Sequence, residues 1–150
     1  MELYQRMKKY KIGYLSGTFD LFHIGHLEYL NNAKSYCEKL VVGVNDDKLV
    51  LEYKNRMPII PLEDRMEIIS ALKCVDCVLK SNNRDKIEAY HIIKFDVLFM
   101  SKDWKGNIYY NNIEPDMKKL GVEIIWLPYK EGVSSSLIIE KVMGSRNHTI

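Results

Sequence analysis

Two histidines three residues apart, His23 and His26, stand in the run Gly17-Thr18-Phe19-Asp20-Leu21-Phe22-His23-Ile24-Gly25-His26. The chain has four histidines in all, so half of them fall in this one turn. The run follows an apolar stretch of strand length, KIGYLS (11–16), and leads into a segment with helical spacing. A turn at a helix start offers free backbone N–H groups and the positive end of the helix dipole, which together favour a phosphate. Gly25 lets a backbone or a phosphate come close, because no Cβ intervenes. At i and i+3 the two imidazoles share one side of the helix. There they can donate to phosphate oxygens as charge shifts in a transition state. The plainer alternative is a pair of partly buried histidines that cap a tight turn. The doubling of the histidine at a helix entrance favours the chemical reading.

Further charged and hydroxyl-bearing residues follow other apolar runs. Asp46, Asp47, Lys48, Lys54 and Arg56 lie in a loop after LVVGVN; Arg65 opens a helical stretch; Lys102, Asp103 and Trp104 follow FDVLFM; Lys130, Gly132, Ser134 and Ser135 follow VEIIWLP. Cations of this kind suit phosphoryl or nucleotidyl transfer, which depends on charge neutralisation and alignment more than on acid or base.

The elements that must position these residues alternate. Strand candidates are 11–16, 39–45, 75–80, 95–100 and 122–128. Helix candidates are 25–37 (with Leu27, Leu30, Ala33 and Cys37 on one face), the segment LEDRMEIISAL (with Leu62, Met66 and Ile69), RDKIEAYHIIK, Asp116–Leu120 and 135–143. Strands that read as unbroken apolar runs are buried on both faces. Strand–helix alternation implies right-handed crossovers. The expected fold is therefore α/β: a Rossmann-like open parallel five-stranded sheet with helices on both faces. Its ligands sit beyond the carboxyl ends of the strands, where the residues above cluster. One domain over 1–150, with a core of about 11–143, is expected from the 150-residue length.

Composition narrows the function. A formal charge of +2 is too balanced for a nucleic-acid footprint, and Lys8, Lys9 and Lys11 read as a solvated lead-in. No apolar run reaches membrane-span length, and the N-terminal MELYQRMKKYK lacks a signal-peptide core, so a cytoplasmic location is the expectation. Cys37, Cys74 and Cys77 fit structural roles in a reducing compartment. The C-x-x-C of Cys74 and Cys77 has no second pair or nearby histidine to complete a zinc set.

GTFDLFHIGH resembles the signature of the cytidylyltransferase-like nucleotidylyltransferases, and among them the glycerol-3-phosphate cytidylyltransferases. The resemblance runs over about 11–143. It takes in LVVGVNDD, EYKNRMPIIPLEDR, ISALKCVDCV, FMSKDWKG and LPYKEGVSSS. It implies transfer of CMP from CTP to a small phosphorylated alcohol such as glycerol 3-phosphate, for a cell-surface polymer precursor, with release of pyrophosphate. His23, His26 and Lys54 would be catalytic. Gly17, Thr18, Phe19, Asp20, Gly25, Lys130, Gly132, Ser134 and Ser135 would bind the nucleotide. Arg56, Arg65, Lys102, Asp103 and Trp104 would bind the second substrate, with Arg65 either on its phosphate or shaping that pocket. Mg²⁺ would be held mainly by the nucleotide phosphates, with no dedicated protein metal site. A homodimer through about Leu72–Val78 is also implied. Three departures stand out: Asn55 for the usual Gly after the lysine, Ser101-Lys102 for Gly and a commonly acidic residue, and Tyr129 for an Arg. An adenylyltransferase of the same superfamily using ATP, and a non-catalytic nucleotide-binding module, are the alternatives. A class I aminoacyl-tRNA synthetase relative fits the HIGH tetrapeptide, but 150 residues leave no room for a tRNA-binding region. Phosphocholine is disfavoured as acceptor, because no aromatic set for a quaternary ammonium is evident in the relevant loops.

Overall fold

The computed structural model describes residues 9–145, so the N-terminal segment with Lys8 lies outside the described residues. Five strands, β1 (Tyr10–Gly17), β2 (Cys37–Asn45), β3 (Cys77–Ser81), β4 (Val97–Ser101) and β5 (Glu123–Leu127), form one sheet. All its pairings are parallel, in the order β3-β2-β1-β4-β5. Six α-helices accompany it: α1 (Ile24–Lys34), α2 (Asp47–Lys54), α3 (Leu62–Ser70), α4 (Lys86–Ile93), α5 (Ile113–Lys119) and α6 (Ser135–Ser145). This is the expected Rossmann-like α/β fold.

Alternation along the strands splits the core into two layers. Leu15, Val42, Val44 and Phe99 pack to one side with Leu30 and Ala33 of α1 and Ile69 of α3. Tyr14, Leu98 and Met100 pack to the other with Met117 of α5, Phe95 and Val122, and with Ala89 and Tyr90 of α4 against them. Strand order reverses between β1 and β4: the chain leaves β1 through α1 toward β2, while β4 lies on β1's other side. A crevice for ligands opens at that switch point.

Several boundaries differ from the sequence reading, each for a local reason. The stretch after β2 is helix α2 rather than loop. The Asp46 side chain accepts the Leu49 N–H at 2.7 Å and caps the helix start. Helix α1 ends at Lys34, and Cys37 opens β2 instead of extending the helical face. Strand β3 begins at Cys77 because the Asp76 carboxylate takes the Leu40 N–H at 2.8 Å and the Lys34 ammonium at 2.6 Å. Helix α4 begins at Lys86, capped by Asp85, whose carboxylate accepts from Ile87 and Glu88. Cys74 is buried, but Cys77, on the edge strand, is exposed. Among the described residues no helix is long and apolar enough to cross a membrane.

Candidate active site

The β1–α1 turn is built around strain. Phe19 and Leu21 hold φ of 55° and 50°, a left-handed conformation that costs a non-glycine residue on the order of 1 kcal/mol. The turn is held by Asp20, whose carboxylate is buried and accepts the N–H groups of Ile59 (2.8 Å) and Ile60 (2.9 Å). Its backbone carbonyl accepts the Ser135 hydroxyl. The side chain expected on nucleotide is therefore spent on fixing the loop before α3. Thr18 shares a 2.7 Å hydrogen bond with the Tyr53 hydroxyl, and Gly17 lies beneath the Phe19 ring.

His23 is the N-cap of α1 and His26 its third residue. The two bond reciprocally: the Gly25 N–H donates to His23 Nδ1 at 3.0 Å, and the His23 N–H donates to His26 Nδ1 at 3.2 Å. The rings stack with centroids 3.8 Å apart. Because both Nδ1 atoms accept, each neutral ring carries its proton on Nε2. His23 Nε2 is the one buried side-chain polar atom without a partner among the described residues. Phe19, Phe22 and Tyr129 surround His26 at centroid distances of 5.4, 5.3 and 6.2 Å. This burial, with the nearby His23 and Lys54, pulls the His26 pKa down to about 3; burial also lowers that of His23. Both rings are neutral donors at pH 7. Gly25 does not line the cleft; it makes the stack possible, since a Cβ there would sit 2.9 Å from His23 Cε1 and 3.1 Å from the Tyr129 ring.

These groups border a cleft of about 490 Å³ at the carboxyl ends of the strands. Its wall includes Gly17, Thr18, Phe19, Asp20, His23, His26, Lys54, Arg56, Asp103, Trp104, Lys130, Gly132, Ser134 and Ser135. Most residues singled out by the sequence thus meet in one place. Lys54 ends α2, and Asn55 follows it in the left-handed conformation at φ 56°. Asparagine accepts that conformation better than most residues, so the change from Gly keeps the lysine in place. Ser134 caps α6 by accepting the Leu137 N–H at 3.1 Å. Arg56 donates to the Ser136 hydroxyl at 3.1 Å. Tyr129 packs edge-on to both histidines, so an aromatic wall occupies the position of the usual Arg. Lys130 pairs with Glu28 at 3.5 Å across exposed surface, a pairing weak enough to yield to a phosphate.

Two residues expected on the second substrate are placed elsewhere. Arg65 does not line the cleft and is 1% exposed. Its N–H groups are given to the carbonyls of Ile60 (2.8 Å), Thr18 (2.7 Å) and Asn45 (2.8 Å) and to Asp47 (2.6 Å). Of its two expected roles, shaping the pocket is the one this geometry supports. Lys102 is exposed and outside the cleft lining. Ser101 caps the short turn Lys102–Trp104 by accepting the Asp103 N–H at 3.2 Å, and that turn puts Asp103 and Trp104, not Lys102, on the wall.

Sequence reasoning missed Arg84 and Lys86, which line the cleft just after β3. Examination of the residues beyond every strand end would have found these two cations. It also missed the aromatic set of Tyr53, Trp104, Tyr109 and Tyr110, which stands around Arg84. The expectation that no such set exists is corrected: its members come from three separate stretches that only the fold brings together. Among the described residues, no cluster of three or more His, Cys, Asp or Glu side chains could hold a metal ion.

The model of the cytidylyltransferase-like family matches residues 14–141. The chain belongs to that family. This cytidylyltransferase-like chain is 36% identical over 145 residues to the bifunctional protein HldE of Helicobacter hepaticus, covering 96% of this chain and 29% of the relative. It is 33% identical over 142 residues to the same-named protein of a Nitratiruptor species, covering 94% and 29%. It therefore spans under a third of the length of those relatives. Among solved structures, the lipopolysaccharide core biosynthesis protein of Thermoplasma volcanium aligns with a TM-score of 0.67 and 26% identity, over 81% of this chain and 97% of that one. Pantothenate synthetase of Thermus thermophilus aligns at 0.58 and 16% identity over 85% and 59%, a likeness of fold alone.

Two stability measurements test this geometry. Arg65→Met strands three backbone carbonyls and Asp47, and is expected to cost about 3 kcal/mol or more in urea unfolding; unchanged stability with a raised acceptor KM would instead make Arg65 a substrate contact. His26 is held neutral in the folded chain, so below its unfolded pKa of about 6.5 the unfolded chain binds a proton that the folded chain refuses. Its contribution is complete above that pH and is lost progressively toward about 3. The urea midpoint should fall more between pH 7 and pH 5 for the wild type than for His26→Gln; equal falls would contradict a buried neutral His26.

Proposed function

We propose that this nucleotidyltransferase moves the nucleoside monophosphate of ATP onto the phosphate of a small hydroxyl-rich acceptor, a phosphorylated sugar or polyol, and releases pyrophosphate. The observation that carries the reading is the pair of stacked neutral imidazoles at the switch-point cleft, with both Nδ1 atoms taken as acceptors and His23 Nε2 without a partner among the described residues. ATP replaces the CTP suggested by the sequence because the relatives described above carry the HldE and lipopolysaccharide core names and no cytidylyltransferase name. The lipopolysaccharide core description of the neighbour supports a sugar-phosphate acceptor over glycerol 3-phosphate.

In the proposed reaction an acceptor phosphate oxygen forms a bond to the α-phosphorus as the bond to the bridging oxygen of pyrophosphate breaks on the opposite side. The nucleophile is already ionised near pH 7, so no general base is needed. The Nε2–H groups of His23 and His26 and the Lys54 ammonium meet the oxygens on which charge builds, and they do so preorganised within an aromatic wall. Backbone N–H groups and the Ser134 hydroxyl at the α6 start hold the leaving phosphates, with Lys130, while Ser135, whose O–H is given to the Asp20 carbonyl, braces the turn instead. Gly132, at φ 75°, allows the turn before that helix. Mg²⁺ would supply charge neutralisation across the phosphates. Asp103 and Glu131 on the cleft wall are suited to one or two contacts with an ion carried in by the nucleotide, and Asp20 is not, since both its oxygens are taken. The homodimer is part of the same proposal, with β3 as the sheet edge beside 72–78.

Pyrophosphate release should require both ATP and a phosphorylated acceptor when ATP, CTP, GTP and UTP are crossed with sugar and polyol phosphates. Release with CTP alone would restore the cytidylyltransferase reading, and binding without release on any acceptor would leave a nucleotide-binding module. His23→Ala and His26→Ala should each lower kcat about 100-fold or more, as loss of preorganised donors does elsewhere. Near-normal turnover in both would remove the histidines from the chemistry.

A further inference from the structure

The segment after β3 holds two cations, Arg84 and Lys86, that form no salt bridge among the described residues. Lys86, at the first position of α4, is 7% exposed. Its ammonium donates to the Ser16 hydroxyl at 2.5 Å, and no carboxylate pairs with it among the described residues. Burial and then the Arg84 charge pull its pKa down to about 8, against a smaller opposing pull from Asp85. A buried ammonium with one neutral partner is costly to keep, and this one lies on the cleft wall.

Arg84, two residues earlier, is set among four rings. Its guanidinium carbon lies 3.9 Å from the Tyr109 centroid, 4.8 Å from Tyr53, 5.4 Å from Tyr110 and 5.5 Å from Trp104. Its Nε–H donates to the Tyr110 hydroxyl at 3.4 Å. Its Nη donors have no partner among the described residues. Rings disposed in this way are the ordinary means of holding an organic cation; here the chain's own arginine fills the space. Stacking fixes the guanidinium plane while its outer N–H groups remain available, the state in which arginine recognises a phosphate by two parallel bonds.

We propose that Arg84 and Lys86 are the seat for the acceptor's phosphate, and that Arg84, by filling the aromatic cage, makes the enzyme select anionic and hydroxyl-rich acceptors against those bearing a quaternary ammonium. The inference rests on the transferase reading above and names residues and a selectivity that the reading leaves open. A phosphate dianion between the two cations gives Lys86 the counter-ion that it lacks and uses the unspent Arg84 donors. Tyr110 and Trp104, both on the cleft wall, then flank the body of the acceptor. An ammonium group arriving at the same rings meets a guanidinium already in place.

Steady-state kinetics with a sugar phosphate or glycerol 3-phosphate, run on the wild type, Arg84→Ala and Lys86→Met, tests the seat. Acceptor KM should rise about tenfold or more in each variant, the usual consequence of losing a charge-assisted hydrogen bond, while nucleotide KM stays within about twofold. Equal changes in both constants, or none in acceptor KM, would overturn it. If Lys86→Met fails to fold, Arg84→Ala, which removes a half-buried side chain, decides. Arg84→Ala should also move the ratio of kcat/KM for phosphocholine to that for glycerol 3-phosphate about tenfold toward phosphocholine; an unmoved ratio refutes the cage selection. Isothermal titration of the nucleotide-free chain with glycerol 3-phosphate separates this inference from the reaction. Binding in the wild type that is lost in both variants keeps the seat even where no turnover is found, and absence of wild-type binding rejects it.

Discussion

One buried guanidinium ties the site together. Arg65 reaches from α3 to the carbonyl of Thr18 beyond β1, to that of Asn45 at the end of β2, to Asp47 at the start of α2 and to Ile60 in the loop before its own helix. These are the segments that carry much of the cleft wall, Thr18, Phe19 and Asp20 on the first and Lys54 at the far end of α2. Carbonyls at strand ends have no ladder partner, and when buried each needs a donor. A planar guanidinium with five N–H groups is the one side chain able to serve three such carbonyls and a carboxylate at once. Removal of these bonds would free the turn of Phe19 and Leu21, whose positive φ values persist only while neighbouring contacts over-determine them.

The same logic explains the state of the histidines. Enclosure by Phe19, Phe22 and Tyr129 makes an imidazolium unfavourable, and reciprocal capping commits both Nδ1 atoms as acceptors. The outcome is two fixed donors and no fixed positive charge. Charge comes instead from Lys54 and Lys130 at the cleft's margin and from Arg84 and Lys86 after β3. Five of the chain's 22 Lys and Arg residues, Lys54, Arg56, Arg84, Lys86 and Lys130, line this one cleft, where charges drawn together in a recess act more strongly on an anion than they do when scattered over open surface.

Local and contiguous features were legible in the sequence. Unbroken apolar runs gave the strands, and the HIGH turn, Lys54 and the EGVSSS segment gave most of the cleft wall. Features that depend on distant partners were not. Arg65 read either as a ligand of the acceptor phosphate or as a residue shaping that pocket, and the sequence could not choose between them; the strand-end carbonyls claim its donors and leave it the second role. Helix α2 was hidden because Asp46, Asp47 and Lys48 look like a polar loop until Asp46 is seen as a cap. The cage around Arg84 joins α2, the turn after β4 and residues 109–110, which have no common sequence signal. Tyr129, read as the loss of a phosphate cation, is a packing partner for both histidines.

That last exchange bears on how the site distributes its work. An arginine at position 129 would add charge next to the histidine pair and lower the cost of bringing a triphosphate there. A tyrosine instead dries the pair and leaves its Nε2–H groups to act in a medium of low polarity, where each hydrogen bond to a forming negative charge counts for more. Binding strength lost at the nucleotide end can be restored elsewhere in the cleft, and Lys86, buried with no ion-pair partner among the described residues, has unspent interaction to offer. An anion that settled beside it would relieve a cost already present in the folded chain, so on the proposed reading part of the acceptor's affinity would be stored in the free protein before any ligand arrives.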